Sequence, residues 1–141
     1  MAAGDKSVEI RPFANRTLEP RLTDTLAEQL RKELQRDGTF KLDTQGDPDY
    51  VMSGTITRFQ RTEVTFASTD ILTVQDFRLT LTAQIKVIQR STGKVILDQP
   101  VNGYTLVRVG ADLTSAERQA MPLLTGDLAK NAVALIAEGK W

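Results

Sequence analysis

The side chains of this chain that could transfer protons are carboxylates and lysines. Its 141 residues include no cysteine and no histidine, which excludes thiol nucleophiles, Ser-His-Asp triads and cysteine/histidine zinc sites. Asp70 and Asp76 lie in and just after the stretch STDILTV, and Glu63 is nearby in sequence. Paired carboxylates work as acid and base only when a desolvated pocket brings them together. Nothing in the sequence requires this, so solvated loop carboxylates are favoured and no catalytic residue is predicted.

Two short motifs resemble ligand-binding loops without meeting their requirements. Thr92-Gly93-Lys94 resembles the end of a phosphate-binding loop, but it lacks the upstream glycine and lies between two predicted strands. A hairpin turn is the favoured interpretation. The stretch DTQGDPD, residues 43–49, has three aspartates without the alternating ligand spacing of a calcium loop. We therefore predict no metal and no cofactor.

The stretch FANRTLEPRL, residues 13–22, contains the triplet Asn15-Arg16-Thr17, which satisfies the rule for N-glycosylation. The alternative is structural, because Asn and Thr oxygens can accept hydrogen bonds from backbone amides at the entrance to the following helix. The structural role is favoured over modification.

Basic side chains lie in two places along the predicted strands. With Phe59, Phe66 and Ile71 between them, they could bind an anionic lipid head group through combined charge and apolar contact. The plainer alternative, a solvated end of the sheet, is favoured by these residues alone. The predicted lipid-binding residues are Arg58, Arg61, Arg90 and Lys94.

Composition predicts one ordinary globular domain, residues 1–141, with residues 1–6 as a flexible start. Hydrophobic residues make up 40% of the chain, and no apolar stretch approaches the 18 residues typical of a membrane-spanning helix. The 18 basic and 18 acidic residues cancel, which argues against a nucleic-acid partner.

Periodicity predicts two helices and four strands. A leucine at every fourth position indicates a helix over 20–37, with Pro20 in its first turn and Gly38 as a left-handed cap. A second helix, 114–138, has a capping-box pattern at Thr114 and Glu117, and Pro122 should kink or split it. The predicted strands are 7–13, 50–66 with an irregularity near Gln60, 73–90, and 95–109 with a bulge near Pro100 or Gly103.

The element order β-α-β-β-β-α predicts an α+β fold. Strict alternation over 73–90 is typical of an antiparallel strand with one packed face and one polar face. We expect a two-layer sandwich, in which two helices pack on one face of a four-stranded, mostly antiparallel sheet.

Four phrases, in order along nearly the whole chain, resemble the lipopolysaccharide-assembly lipoprotein family of the LptE type. A strand ending in PF-x-NRT before an amphipathic helix also occurs in other periplasmic lipoproteins, including activators of cell-wall synthases. The phrases are VEIRPFANRTLEPRLTDTLAEQLRKEL, DYVMSGTITRF, STGKVILDQPVNGYT and DLTSAERQAMPLLTGDLAKNAVALI.

The resemblance implies a non-enzymatic role at the periplasmic face of the outer membrane. Such proteins sit inside a large outer-membrane β-barrel protein, help it assemble and assist delivery of lipopolysaccharide to the cell surface. The family's acylated N-terminal cysteine is not in this sequence, so we expect a signal peptide and that cysteine to precede Met1 in the native protein. The alternatives are a lipoprotein that regulates a cell-wall synthase and a small carboxylate-based enzyme using Asp70 or Asp76.

Overall fold

The computed structural model describes residues 6–43, 46–64, 75–109 and 113–138. These residues form a mixed α+β fold in which β1 begins at Lys6. The elements in chain order are β1 (Lys6–Ile10), β2 (Ala14–Asn15), α1 (Leu22–Asp37), β3 (Phe40–Leu42), β4 (Tyr50–Val64), β5 (Gln75–Gln89), β6 (Val95–Val109) and α2 (Leu113–Ala137).

The sheet has more strands than the four predicted. Its order is β3-β1-β4-β5-β6, with β2 also paired to β4. The long strands β4, β5 and β6 pair antiparallel, whereas β1, β2 and β3 pair parallel. The prediction missed β2 and β3 because two or three residues are too few to show an alternating pattern.

The strand irregularities also lie elsewhere than predicted. β4 is one continuous strand, and its register against β5 shifts between Ile56 and Arg58 rather than near Gln60, which leaves Thr57 as the extra residue. The bulge predicted in β6 near Pro100 or Gly103 lies at another position: Val87 of β5 pairs with Leu97 and Ile88 with Val95, which leaves Ile96 of β6 as the extra residue.

The helices agree with the predicted periodicity more closely than the strands do. Gly38 takes the predicted left-handed conformation, with φ of 77°, and its amide donates to the Leu34 carbonyl at 3.2 Å. α2 continues through Pro122, so the predicted split is wrong. It begins at Leu113, which puts Thr114 inside the first turn rather than before it.

The buried side chains of the helices and of the sheet form one hydrophobic cluster. α1 packs on α2, and α2 lies mainly along β6. The predicted alternation of β5 is confirmed from Leu79 to Val87, where every second side chain is fully buried, while Phe77 is half-buried. The fully buried residues of α1 and β5 are Leu22, Leu26, Leu30, Leu34, Leu79, Leu81, Ala83, Ile85 and Val87. Within the described ranges, neither helix has the length and apolarity needed to cross a bilayer.

Candidate functional site

The second edge of β4 is only partly paired. β1 and β2 pair with β4 as far as Ile56, and the last backbone bond runs from the Arg16 amide to the Ile56 carbonyl at 2.9 Å. The chain then turns away from the sheet. Along residues 57–64, no strand among the described parts of the chain pairs with this edge, and we call it the open edge.

The loop that turns away at Arg16 is held in shape by its own side chains. The Asn15 side-chain oxygen accepts from the Thr17 amide at 2.9 Å and from the Thr17 hydroxyl at 2.7 Å. The Asn15 side-chain nitrogen donates to the Glu19 carbonyl at 2.8 Å. The predicted structural role of Asn15 and Thr17 is therefore confirmed, and the nitrogen that a glycan would modify is already the donor in this loop.

Because Asn15 and Thr17 bond within the loop, the residues that alternate with them are left on its outside. Arg16 is exposed and Leu18 is 101% exposed. An isolated exposed leucine is common on protein surfaces. This one is carried by a hydrogen-bonded loop that stands beside the open edge.

A cavity of about 490 Å³ separates the loop from the open edge. We call it the arginine groove. It draws its side chains from the loop, from β4 and from the first turns of α2, and those that matter for its chemistry are Arg16, Leu18, Arg58, Phe59, Arg61 and Glu117.

The three guanidinium groups of the groove are not equivalent. Arg61 Nε donates to Glu117 Oε1, and Glu117 is only 8% exposed. Arg16 and Arg58 form no ion pair with any residue in the described ranges. The groove therefore offers two guanidinium groups without an ion pair among the described residues, beside one that has a counter-ion.

The groove combines those charges with apolar surface. Leu18 and Phe59 both line the groove, Leu18 as an exposed side chain and Phe59 as a half-buried one. A guanidinium presents a planar set of N–H donors that matches the oxygens of a phosphate or carboxylate. Such a site suits an anionic amphiphile, with the head group on the arginines and the apolar portion on Leu18.

The four predicted lipid-binding residues do not form one site. Arg58 and Arg61 pair with Thr82 and Leu79, so they start on opposite faces of β4, yet both reach the groove because it lies at the strand edge. Arg90 directly follows β5, eight residues beyond Thr82, which is about 26 Å along a strand.

At the opposite end of the sheet, Arg90 and Lys94 have surroundings different from those of the arginines in the groove. Arg90 forms an ion pair with Asp47 and lines a separate cavity of about 430 Å³. Lys94 lies in the same hairpin, where its carbonyl accepts from the Gln89 amide at 2.9 Å. Two of the predicted residues thus belong to the arginine groove and two to the opposite end of the sheet.

Two of the carboxylates considered for catalysis, Glu63 and Asp76, lie in described strands, where Glu63 pairs with Phe77 and Asp76 with Val64, so they start on opposite faces of the sheet. Asp76 forms an ion pair with Arg108 at 3.1 Å. Asp70 lies outside the described residues, as do the predicted apolar contacts Phe66 and Ile71. Among the residues that are described, no group of three or more acidic side chains could hold a metal ion.

Sequence reasoning missed Arg16, Leu18 and Glu117. Arg16 and Leu18 alternate with Asn15 and Thr17 along the chain. If Asn15 and Thr17 bond within the loop, as the sequence predicts, their neighbours Arg16 and Leu18 are expected on its outside. The sequence predicts Glu117 only as part of a capping box with Thr114. Its carboxylate accepts from Arg61, which is 56 residues away in sequence, and no local pattern indicates such a pair.

The fold is shared with solved structures of low sequence identity. A minor lipoprotein from Acinetobacter baumannii is similar with a TM-score of 0.62 at 17% identity, covering 94% of this chain and 92% of that one. A hypothetical protein from Chlamydia trachomatis gives a TM-score of 0.67 at 12% identity, with 98% of both chains covered. At these identities the likeness establishes the fold alone.

Family membership follows from the sequence as a whole. A search of curated proteins finds no significant match. The sequence profile of the family described as lipopolysaccharide-assembly, LptE, matches residues 6–137. Because this match runs from β1 to the end of α2, the chain belongs to the LptE family of lipopolysaccharide-assembly proteins.

Proposed function

We propose that this protein binds lipopolysaccharide in the arginine groove while it serves as the plug and assembly partner of an outer-membrane β-barrel translocon. The observation that carries the lipid-binding part is the placement of Arg16 and Arg58 beside the fully exposed Leu18, with neither guanidinium in an ion pair within the described ranges. Family membership indicates a role in lipopolysaccharide assembly. The groove is the candidate surface on which this protein would bind lipopolysaccharide.

The chemistry of the ligand fits the chemistry of the groove. The lipid portion of lipopolysaccharide carries phosphate groups next to acyl chains, so it presents charge and apolar surface together. Arg16 and Arg58 can each donate several hydrogen bonds to a phosphate. Leu18 can cover part of an acyl chain at the point where the polar head group ends.

Partner, location and absence of catalysis rest on family membership. We propose a non-enzymatic protein, lipid-anchored at the periplasmic face of the outer membrane, with a large β-barrel as its partner. We also interpret the fold as a two-layer sandwich, because the buried side chains of β5 belong to one core cluster with those of both helices. The polar side of the sheet is then available to the partner.

The lipid-binding proposal is tested by binding of purified lipopolysaccharide to paired arginine variants. We expect R16S/R58S to weaken binding by at least tenfold, since a hydrogen bond to a charged group contributes about 1.5–3 kcal/mol and 1.4 kcal/mol corresponds to tenfold. Affinity is measured by fluorescence titration in one detergent and one salt concentration.

The matched control is R90S/K94S, which removes the same number of positive charges at the opposite end of the sheet. It also tests the prediction that Arg90 and Lys94 contact lipid. Equal weakening by both variants would extend the lipid contacts to both ends, as the sequence alone predicts. Unchanged affinity of R16S/R58S would remove the arginine groove from the proposed function.

A further inference from the structure

The counter-ion of Arg61 has a consequence for which ligands the groove accepts. Glu117 is nearly buried, and its carboxylate lies in the wall of the groove, bonded to Arg61. The second carboxylate of the groove, Glu19, is instead engaged from outside by Arg21 at 3.0 Å. Glu117 is therefore the carboxylate that competes with a ligand for a groove arginine.

Separating Arg61 from Glu117 is costly because one partner is buried. A guanidinium–carboxylate pair is a charge-assisted hydrogen bond. If the pair is broken, the buried carboxylate keeps its charge with neither a partner nor full contact with water, which costs free energy. Arg16 and Arg58 carry no such cost, since they have no counter-ion among the described residues.

We propose that Glu117 sets the charge selectivity of the groove, because it keeps Arg61 in an ion pair that a ligand must break before it can bind that guanidinium. A head group with one phosphate binds to Arg16 and Arg58 and leaves the Arg61–Glu117 pair intact. A head group with two phosphates gains its third guanidinium only by displacing Glu117. This inference rests on the proposed function, because it concerns the ligand of the same groove.

The test compares monophosphoryl and diphosphoryl lipid A, in one detergent, binding to the full chain and to E117Q. We expect E117Q to bind diphosphoryl lipid A about tenfold more tightly, because one charged competitor for Arg61 is removed. Its affinity for monophosphoryl lipid A should change much less. An E117Q variant whose preference for the diphosphoryl form does not increase overturns the inference.

Two further variants connect the effect to Arg61 and to folding. In E117Q/R61Q the gain should disappear, because the released guanidinium is absent; an equal gain in both variants overturns the inference. E117D keeps the charge on a shorter side chain, so it should show a smaller gain with the native fold kept. Circular dichroism establishes that each variant is folded before binding is measured.

R16S/R58S separates this inference from the proposed function. If that variant loses lipid affinity while E117Q shows no selectivity change, the groove binds lipid and Glu117 does not tune it, which overturns the inference alone. If R16S/R58S and E117Q both bind like the unmodified protein, the proposed site and the inference both fail.

Discussion

At the scale of single residues, the triplet Asn15-Arg16-Thr17 divides between structure and binding. Asn15 makes three hydrogen bonds that keep the loop in shape, two as acceptor and one as donor. Arg16 lies between the two bonded side chains, and its guanidinium forms no ion pair among the described residues. Adjacent positions in one loop therefore have different roles, so each must be substituted separately.

Substitution within the triplet should separate stability from binding. We expect N15A to lower the free energy of unfolding by about 1–3 kcal/mol, the cost of leaving bonded polar groups without partners. R16A should change it by less than about 0.5 kcal/mol, as is usual for an exposed position. Urea unfolding followed by circular dichroism measures both.

N15D is the matched variant for this prediction, because it keeps an acceptor oxygen for Thr17 and replaces the donor to Glu19 with a carboxylate oxygen. That oxygen faces the Glu19 carbonyl, which is also an acceptor, so N15D should be destabilised as well. If R16A were as destabilised as N15A, Arg16 would have a structural role and its assignment to lipid binding would weaken.

At the scale of elements, the approach of α2 to β6 depends on one glycine. A side chain at Gly103 would place its Cβ atom 2.4 Å from the Leu128 backbone nitrogen. The helix also supplies partners for the outer edge of β6, since Asp127 accepts from the Tyr104 amide at 2.9 Å and Asn131 donates to the Asn102 carbonyl at 2.8 Å. Gly103 thus allows the contact through which α2 covers this edge.

Two glycine-to-alanine substitutions should have opposite effects. G103A should cost about 3 kcal/mol, the upper part of the range for overpacking, because backbone atoms on both elements resist displacement. G126A lies in α2, where its added Cβ atom meets only the end of the Gln29 side chain at 3.3 Å. It should leave stability unchanged or raise it by up to about 1 kcal/mol, since alanine favours helix.

Thermal and urea unfolding of the two glycine variants provide the measurement. Their chemical change is identical, so each is the control for the other. A G103A protein as stable as the unmodified one would mean that α2 does not pack so closely on β6.

At the scale of the whole molecule, the outer edge of β6 and the open edge of β4 are covered to different extents. α2 covers part of the outer edge of β6 through Asp127 and Asn131, whereas residues 57–64 of β4 form the open edge among the described residues. Exposed strand edges are positions that proteins usually protect. The arginine groove lies on the open side, so charge, apolar surface and unpaired backbone occur together in one region of the molecule.

The proposed partner can be tested on the native lipoprotein isolated from outer membranes. We expect a large β-barrel protein to co-purify with it, because a plug buries an extensive interface that survives mild detergent. An unrelated lipoprotein with the same tag is the control. Recovery of a cell-wall synthase in place of a barrel would contradict the export role and support the regulatory alternative.

Local sequence patterns determined the long elements of this protein. The leucine repeat predicts α1, strict alternation predicts β5, and Gly38 predicts the end of the helix, because these signals depend on neighbours two to four residues apart. The four phrases in chain order were also enough to identify the family. Both kinds of information are carried along the chain and need no tertiary contact.

The tertiary structure alone decided how the sheet is completed and what the groove contains. β2 and β3 are too short to show a period, and they become strands only because longer neighbours offer them backbone partners. Arg16, Arg58 and Glu117 come from a loop, a strand and a helix that are distant in sequence. Their proximity follows from the pairing of β2 with β4 and from the packing of α2, and no local pattern encodes either contact.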